Sequence, residues 1–218
     1  MATTNNGFTT IARRASSDLV TLTVHGNATR VRAGSPAVVL GWVARQIDAT
    51  VEPASTVFGW RSPAVNAAAG GIASSNHLSG TAIDFNGGRH PYEHTRPHGW
   101  SSGWSADEEA DVRRILAAAR VLRWGLDYPA GWRDAMHVEI KGASAADVDR
   151  AAKHLTEGWA VVTTKLLNGR AKPSTRAKIK HQRETGFRIH YVETAYREGR
   201  VWLRTRFRTW YAADLTSW

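Results

Sequence analysis

The residue pattern changes character near position 157, and that change restricts the chain to folds with two different parts. Before it, apolar residues recur at helical spacing in three stretches; after it, only short β-like runs separated by turns remain. Charge steps at the same place, because residues 1–158 hold 16 Lys and Arg against 15 Asp and Glu, whereas residues 159–218 hold 13 against 4. A boundary at 157 follows, with a first domain over 1–157 and a second over 158–218. A chain of 218 residues has room for a medium domain and a small one. The local excess of positive charge points to an anionic partner for the second domain alone.

Within the first domain, residues 20–24 and 30–32 read as strands flanking the turn His25-Gly26-Asn27. Ser35-Pro36 opens a helix whose stripe is Val38, Val39, Leu40, Trp42, Val43 and Ile47. Residues 56–61 read as a strand, and Ser62-Pro63 starts a short helix that Gly70-Gly71 stops. Residues 87–103 are rich in Gly, Pro, His and aromatics without a period, which predicts a long loop of the kind that often binds ligands. Ser105 to Glu108 form a capping box, and Val112, Ile115, Leu116, Ala119 and Leu122 are the core face of the helix it opens, ended at Trp124-Gly125-Leu126. Residues 137–140 form a strand with His137 and Glu139 on one face. Ser144 caps a last helix over 144–155. The expected class is α+β followed by a smaller all-β domain, with strands over 178–180, 187–193, 201–206 and 210–212.

The chain has no cysteine, so disulfides and thiolate ligands are excluded and any metal must be held by histidine and carboxylate. No apolar run is long enough for a membrane span, and no secretory leader is readable at the N-terminus.

His77 and Asp84 stand seven positions apart, with Gly80 and Ala82 between them. Alone, such a pair is more often a capped turn than a site. The stretch Trp132-Arg133-Asp134-Ala135-Met136-His137 adds a second histidine and a carboxylate three residues before it. Two histidines and one carboxylate are the ligand set of a catalytic zinc site, which keeps a position open for water or substrate. The residual positive charge of such a centre polarises a carbonyl and lowers the pKa of water. Asp134 reaches that centre only if 134–136 is a turn leading into the strand, and it would then act as general base. Arg61, where an apolar strand breaks into a helix start, is the candidate to hold the developing oxyanion; its alternative role is a surface cap.

Gly59-Trp60-Arg61-Ser62, then Ser75-x-His77-x-x-Gly80-x-Ala82-x-Asp84, then Asp134-x-x-His137-x-Glu139 closely resemble the zinc D-alanyl-D-alanine carboxypeptidase family, which includes the vancomycin-resistance dipeptidases and the phage L-alanyl-D-glutamate peptidases. The resemblance implies a Hedgehog-like α+β peptidase fold, one Zn2+ ion on His77, Asp84 and His137, Asp134 as catalytic base, Arg61 on the scissile carbonyl and Ser75 in substrate binding. Asp rather than Glu at the base position is nearer the phage endopeptidase branch. Glu139 reads as support behind a ligand. Leu167-Asn168-Gly169-Arg170-Ala171-Lys172-Pro173-Ser174, with Val201-Trp202-Leu203 and Trp210-Tyr211 further on, resembles bacterial SH3-like modules that bind peptidoglycan. A peptidase followed by such a barrel is the layout of a phage endolysin. What this implies is a monomer made in the host cytoplasm, released through a separate pore, whose basic domain holds anionic wall polymers.

Other readings compete. A bacterial wall-remodelling D,D-carboxypeptidase would use the same residues. His90, His94 and His98 stand at four-residue spacing and would make a second metal site on a helix, but Pro91, Pro97 and the Gly pair argue for a groove loop. Trp100 and Trp104 either stack on substrate in that groove or pack the loop onto the body. A basic tail interleaved with aromatics also suits nucleic acid, the rival partner, although wall polymers account for the charge equally well. A zinc domain that only binds peptide is disfavoured by Asp134, since a structural site needs no base.

Overall fold

The computed structural model describes residues 2–96 and 98–218, so Pro97, named above as a helix breaker, lies outside the described residues. The chain divides into two units, Met1–Ala151 and Ala152–Trp218.

In the first unit, β1 (Leu19–Val24) and β2 (Asn27–Arg32) form an antiparallel hairpin. His25 and Gly26 both have positive φ, the backbone twist that a tight two-residue hairpin turn requires. Next come α1 (Ser35–Thr50), β3 (Val57–Phe58), α2 (Pro63–Ala68) and β4 (Ala82–Phe85). They are followed by α3 (Ala106–Ala119), β5 (Leu122–Trp124), β6 (His137–Ile140) and α4 (Ala145–Thr156). The reciprocal Ser105–Glu108 capping box is present at the start of α3, and Ser62 caps α2 by accepting from the Val65 amide.

Four strands make the central sheet in the order β3-β4-β6-β5, all antiparallel. The registers Phe58↔Asp84, Asp84↔His137 and Glu139↔Arg123 put Phe58, Asp84, His137, Glu139 and Arg123 on one face. Val57, Ile83, Phe85, Val138, Ile140, Leu122 and Trp124 point the other way and are buried. Helix α1 contacts β4 and α3 contacts β5, so this apolar face and the helices form one core while the opposite face is left for polar groups. The polar start of the chain is also buried: Asn6 donates to the Ile140 carbonyl and the Thr81 hydroxyl at 2.8 Å each, and the Thr4 hydroxyl lies 3.0 Å from Ser79.

The expected extent of α3 is corrected. Leu122 belongs to a strand, not to the face of α3, because the helix stops at Ala119 and Arg120 adopts a φ of 65°. From there Leu122 and Trp124 turn inward and Arg123 outward, the period of a strand pairing with β6. Asn86 leaves the face of Asp84: β4 ends at Phe85, and Asn86, with φ 48°, turns its amide onto Glu52 and accepts from the amides of Ser55 and Thr56.

The second unit takes the last turn of α4 with it, so the division falls inside that helix rather than at 157. The reason is bonding: Tyr191 Oη donates to the His154 carbonyl at 3.1 Å and Thr194 Oγ1 to that of Leu155 at 2.5 Å. The strands are β7 (Gly158–Val161), β8 (Leu166–Arg170), β9 (Ile179–Glu184), β10 (Arg188–Tyr191), β11 (Glu193–Arg197), β12 (Arg200–Arg204) and β13 (Trp210–Ala212). The run expected over 187–193 is two strands, because the chain crosses at Val192 from a β7–β10 pair to a five-stranded sheet ordered β11-β12-β13-β8-β9. Val162, Leu167, Ile189 and Tyr211 meet in one core, which joins residues of both sheets. Strand pairing among the described residues does not run round into a closed barrel. No helix among them is long and apolar enough to cross a membrane.

The opposed faces of the central sheet predict opposed responses to truncation. Ile83→Ala, at a site fully buried, should cost about 2–5 kcal/mol. Phe58→Ala, where the ring is 57% exposed, should cost no more than about 0.5 kcal/mol. Denaturant midpoints of the first unit's transition check both.

Candidate metal centre

His77 sits in a single 3-10 turn, Asn76–Ser79, opened by Ser75, whose Oγ accepts from the His77 amide at 3.4 Å. Gly80 closes the turn at φ 68°, and a Cβ there would stand 2.6 Å from the Arg32 amide nitrogen; only glycine meets both demands. The chain then enters β4 and presents Asp84 directly opposite His137 of β6.

Three donor atoms converge. His77 Nε2 is 3.1 Å from Asp84 Oδ1 and 3.1 Å from His137 Nδ1, and His137 Nδ1 is 2.9 Å from Asp84 Oδ1. A tetrahedral zinc at about 2.0–2.1 Å from each would hold its ligand atoms roughly 3.3 Å apart, close to this spacing. Each imidazole is oriented from behind: His77 Nδ1 donates to the Gly59 carbonyl at 2.7 Å and His137 Nε2 to Glu139 Oε2 at 3.1 Å. Those bonds fix the tautomers so that both lone pairs face the convergence point, as metal-ligating histidines require. All three residues are buried, and no second group of metal-capable side chains occurs among the described residues.

Glu139 is itself held on every side. Its Oε1 accepts from Arg123 and from Tyr128 Oη at 2.7 Å, and its Oε2 accepts from Asn76. Burial opposes the ionised form of Glu139, but the hydrogen bonds from His137, Tyr128 and Arg123 outweigh it and lower its pKa to about 2. Burial likewise opposes the charged form of His137, yet its bonds to Asp84 and Glu139 raise it to about 10. Asp84 is drawn well below the usual carboxylate range, since both histidines overcome the burial that would raise it, while desolvation lowers His77. A cation binding here competes with the shared proton of this cluster.

Asp134 is brought to the same place by the turn the sequence requires: Ala135 and Met136 are turn residues and the His137 amide bonds the Asp134 carbonyl at 3.2 Å. Trp104 Nε1 and Trp124 Nε1 both donate to the Ala135 carbonyl at 3.0 Å and pin that turn. Gly125 permits its close approach, because a Cβ there would fall 2.5 Å from the Asp134 carbonyl oxygen. Buried Asp134 Oδ1 has no hydrogen-bond partner, and burial raises this carboxyl to about 6. An unsatisfied carboxylate oxygen beside two imidazoles and a carboxylate is what a metal-assisted site provides for a reacting water. Arg61 ion-pairs with Asp84 through Nη2 and is partly exposed. Arg61, Ser75, His77, Asp84, Asp134 and His137 all line one cleft of about 540 Å³, within the usual size of a ligand site.

The loop histidines do not gather. His90 is buried, stacked on Trp104 at 3.5 Å and bonded to Glu52, whereas His94 stacks on Trp132 and His98 is exposed. Trp104 packs the loop onto the body, and Trp100 donates to the Pro91 carbonyl while Arg133 lies over its ring. Sequence reasoning missed Asn76, Arg123 and Tyr128 and gave Gly59 and Gly125 no part in orienting the site; for Arg123 the signal was available in its outward position between Leu122 and Trp124.

Glu139→Gln should weaken Zn2+ affinity about 10–100-fold with the fold intact, read by competition with a chromogenic chelator.

Residues 69–140 match the family model described as D-alanyl-D-alanine carboxypeptidase, and residues 16–97 match one described as Peptidase M15. No curated protein and no solved structure matches the chain. The two models overlap and together take in every residue of the converging cluster and its cleft partners Arg61, Ser75 and Asp134. They support the M15 peptidase family, hydrolases of the D-alanyl-D-alanine carboxypeptidase type, for the part of the chain that carries the site.

Proposed function

We propose that the protein is a zinc-dependent peptidoglycan peptidase of the phage endolysin kind, cutting an amide bond of the stem peptide. The observation that carries this reading is the unpartnered Asp134 oxygen in one cleft with the His77, Asp84 and His137 donors. One Zn2+ ion on those three ligands would polarise the scissile carbonyl and make a nearby water acidic. Asp134, raised by burial, takes the proton of that water and later delivers it to the leaving amine. Arg61, engaged with Asp84 through one nitrogen, directs its remaining N–H groups to the carbonyl oxygen as it gains charge. Ser75, at the cleft wall, binds the peptide backbone. Glu139 and the Gly59 carbonyl keep both imidazoles aimed, so little reorganisation accompanies the reaction.

The second unit serves, in this reading, as an SH3-like module that holds the enzyme on the wall. Its support is the opening from Leu167 to Ser174, the single core shared by two antiparallel sheets, and the surplus of 13 basic over 4 acidic residues. The protein would act as a monomer and reach the wall through a pore made by another protein. Peptidoglycan is the substrate that fits the M15 family.

Incubation with purified wall, followed by mass spectrometry of the new termini, tests the function. New L-alanine carboxyl and D-glutamate amino ends would identify an endopeptidase, and released D-alanine a carboxypeptidase of the remodelling kind. Absence of any cleavage by the zinc-loaded protein would overturn the enzyme reading. Asp134→Asn should keep its Zn2+ and lower turnover about 10²–10⁴-fold, measured as product per mole of bound metal.

A further inference from the structure

The second unit contains a groove of about 450 Å³, large enough for several units of a linear polymer. Its rim carries Trp159, Phe187 and Phe207, which are 58%, 44% and 69% exposed, an unusual outlay of aromatic surface for so small a body. Each ring is paired with a guanidinium: Arg188 lies 4.9 Å from the Trp159 centroid, Arg183 4.4 Å from Phe187 and Arg206 4.8 Å from Phe207. No Asp or Glu lines the groove. Two polar atoms there, Arg183 Nε and Thr205 Oγ1, are buried and have no hydrogen-bond partner among the described residues. The turn that carries Arg206 and Phe207 is fastened by the Thr205 amide on the Thr209 carbonyl at 2.9 Å and by Lys180 Nζ on the carbonyls of Phe207 and Arg208. The three guanidinium groups thus already lie against rings before any ligand arrives, and Arg183 also donates to the Gln182 carbonyl.

We propose that this groove binds a phosphodiester polymer of polyol or sugar units, with the phosphates on Arg183, Arg188 and Arg206. This rests on the wall-binding reading of the second unit and specifies its site and ligand. Arginine's planar fork matches phosphate oxygens, and a guanidinium held over a ring loses less freedom on binding than a free one. Each rim aromatic carries an arginine over one face, which confines any base stacking to the other. A polyol phosphate needs charge and an apolar floor, but no stacking platform.

Isothermal titration of the full chain with a poly(glycerol phosphate) oligomer, and with a single-stranded oligonucleotide of equal charge, tests the assignment. The expected result is saturable polymer binding that weakens with salt and falls at least tenfold in Arg183→Gln/Arg206→Gln, with near-UV circular dichroism unchanged. Arg206→Gln alone, at an exposed turn tip, should lose affinity without any folding penalty. Equal affinity in parent and double variant, tighter binding of the oligonucleotide at the same salt, or no polymer binding by the parent would each overturn the proposal. Sedimentation with intact wall separates the two levels. Parent retained on wall without polymer affinity sinks the groove assignment alone, whereas parent not retained sinks the wall-binding reading with it.

Discussion

The pairing of β4 with β6 in the register Asp84↔His137 is the constraint on which the site depends. Directly opposed residues of an antiparallel pair have their side chains on the same face and within a few ångströms, so one register supplies two of the three converging donors. A slip of one residue would send Asp84 into the apolar core and Ile83 into the cleft. That slip is opposed by the alternation along β4, since Ile83 and Phe85 would leave the core together and desert Val138 and Ile140 of β6. The hydrophobic pattern thus protects a polar geometry it never touches.

Behind the donors lies a buried charge network centred on Glu139. A lone carboxylate at that depth would be costly, but this one accepts from an imidazole, a guanidinium, a phenol and an amide at once. The contributors come from β6, β5, the segment after β5 and the turn before β4. Their common bond to one side chain makes the tautomer of His137 a property of the whole sheet rather than of its own strand.

The sequence was legible where local chemistry and fold agree. His77 to Asp84 could be read because Gly80 marks the tight turn and the small residues after it lead into a strand; the Asp134 turn could be inferred because a strand cannot put i and i+3 on one face. The cap at Ser105 was equally plain. What escaped was decided by tertiary partners. Leu122 satisfies the helical period of α3, but Arg120 reverses the chain and the open edge of β6 claims it as strand. Thr4 and Asn6 look like a solvated tail, yet they fill polar positions under the His77 turn that no periodicity announces. Asn76 and Tyr128 reach the site through Glu139, 63 and 11 residues away in sequence, and hydrogen bonds between separate segments leave no mark in either segment.

The two indoles on the Ala135 carbonyl have a bearing on how such a scaffold diversifies. A carbonyl oxygen has two lone pairs, and here both are filled, one by the helix-proximal end of the long loop and one by β5. The turn that carries Asp134 is thereby held at its Ala135 end by the two indoles, while the long loop holds the residues before it through the Tyr92–Asp134 bridge and the Glu93–Arg133 ion pair. An exchange of loop residues that spares Tyr92 and Glu93 can alter which peptides are admitted while that turn keeps its place; one that removes them loosens the segment carrying Asp134.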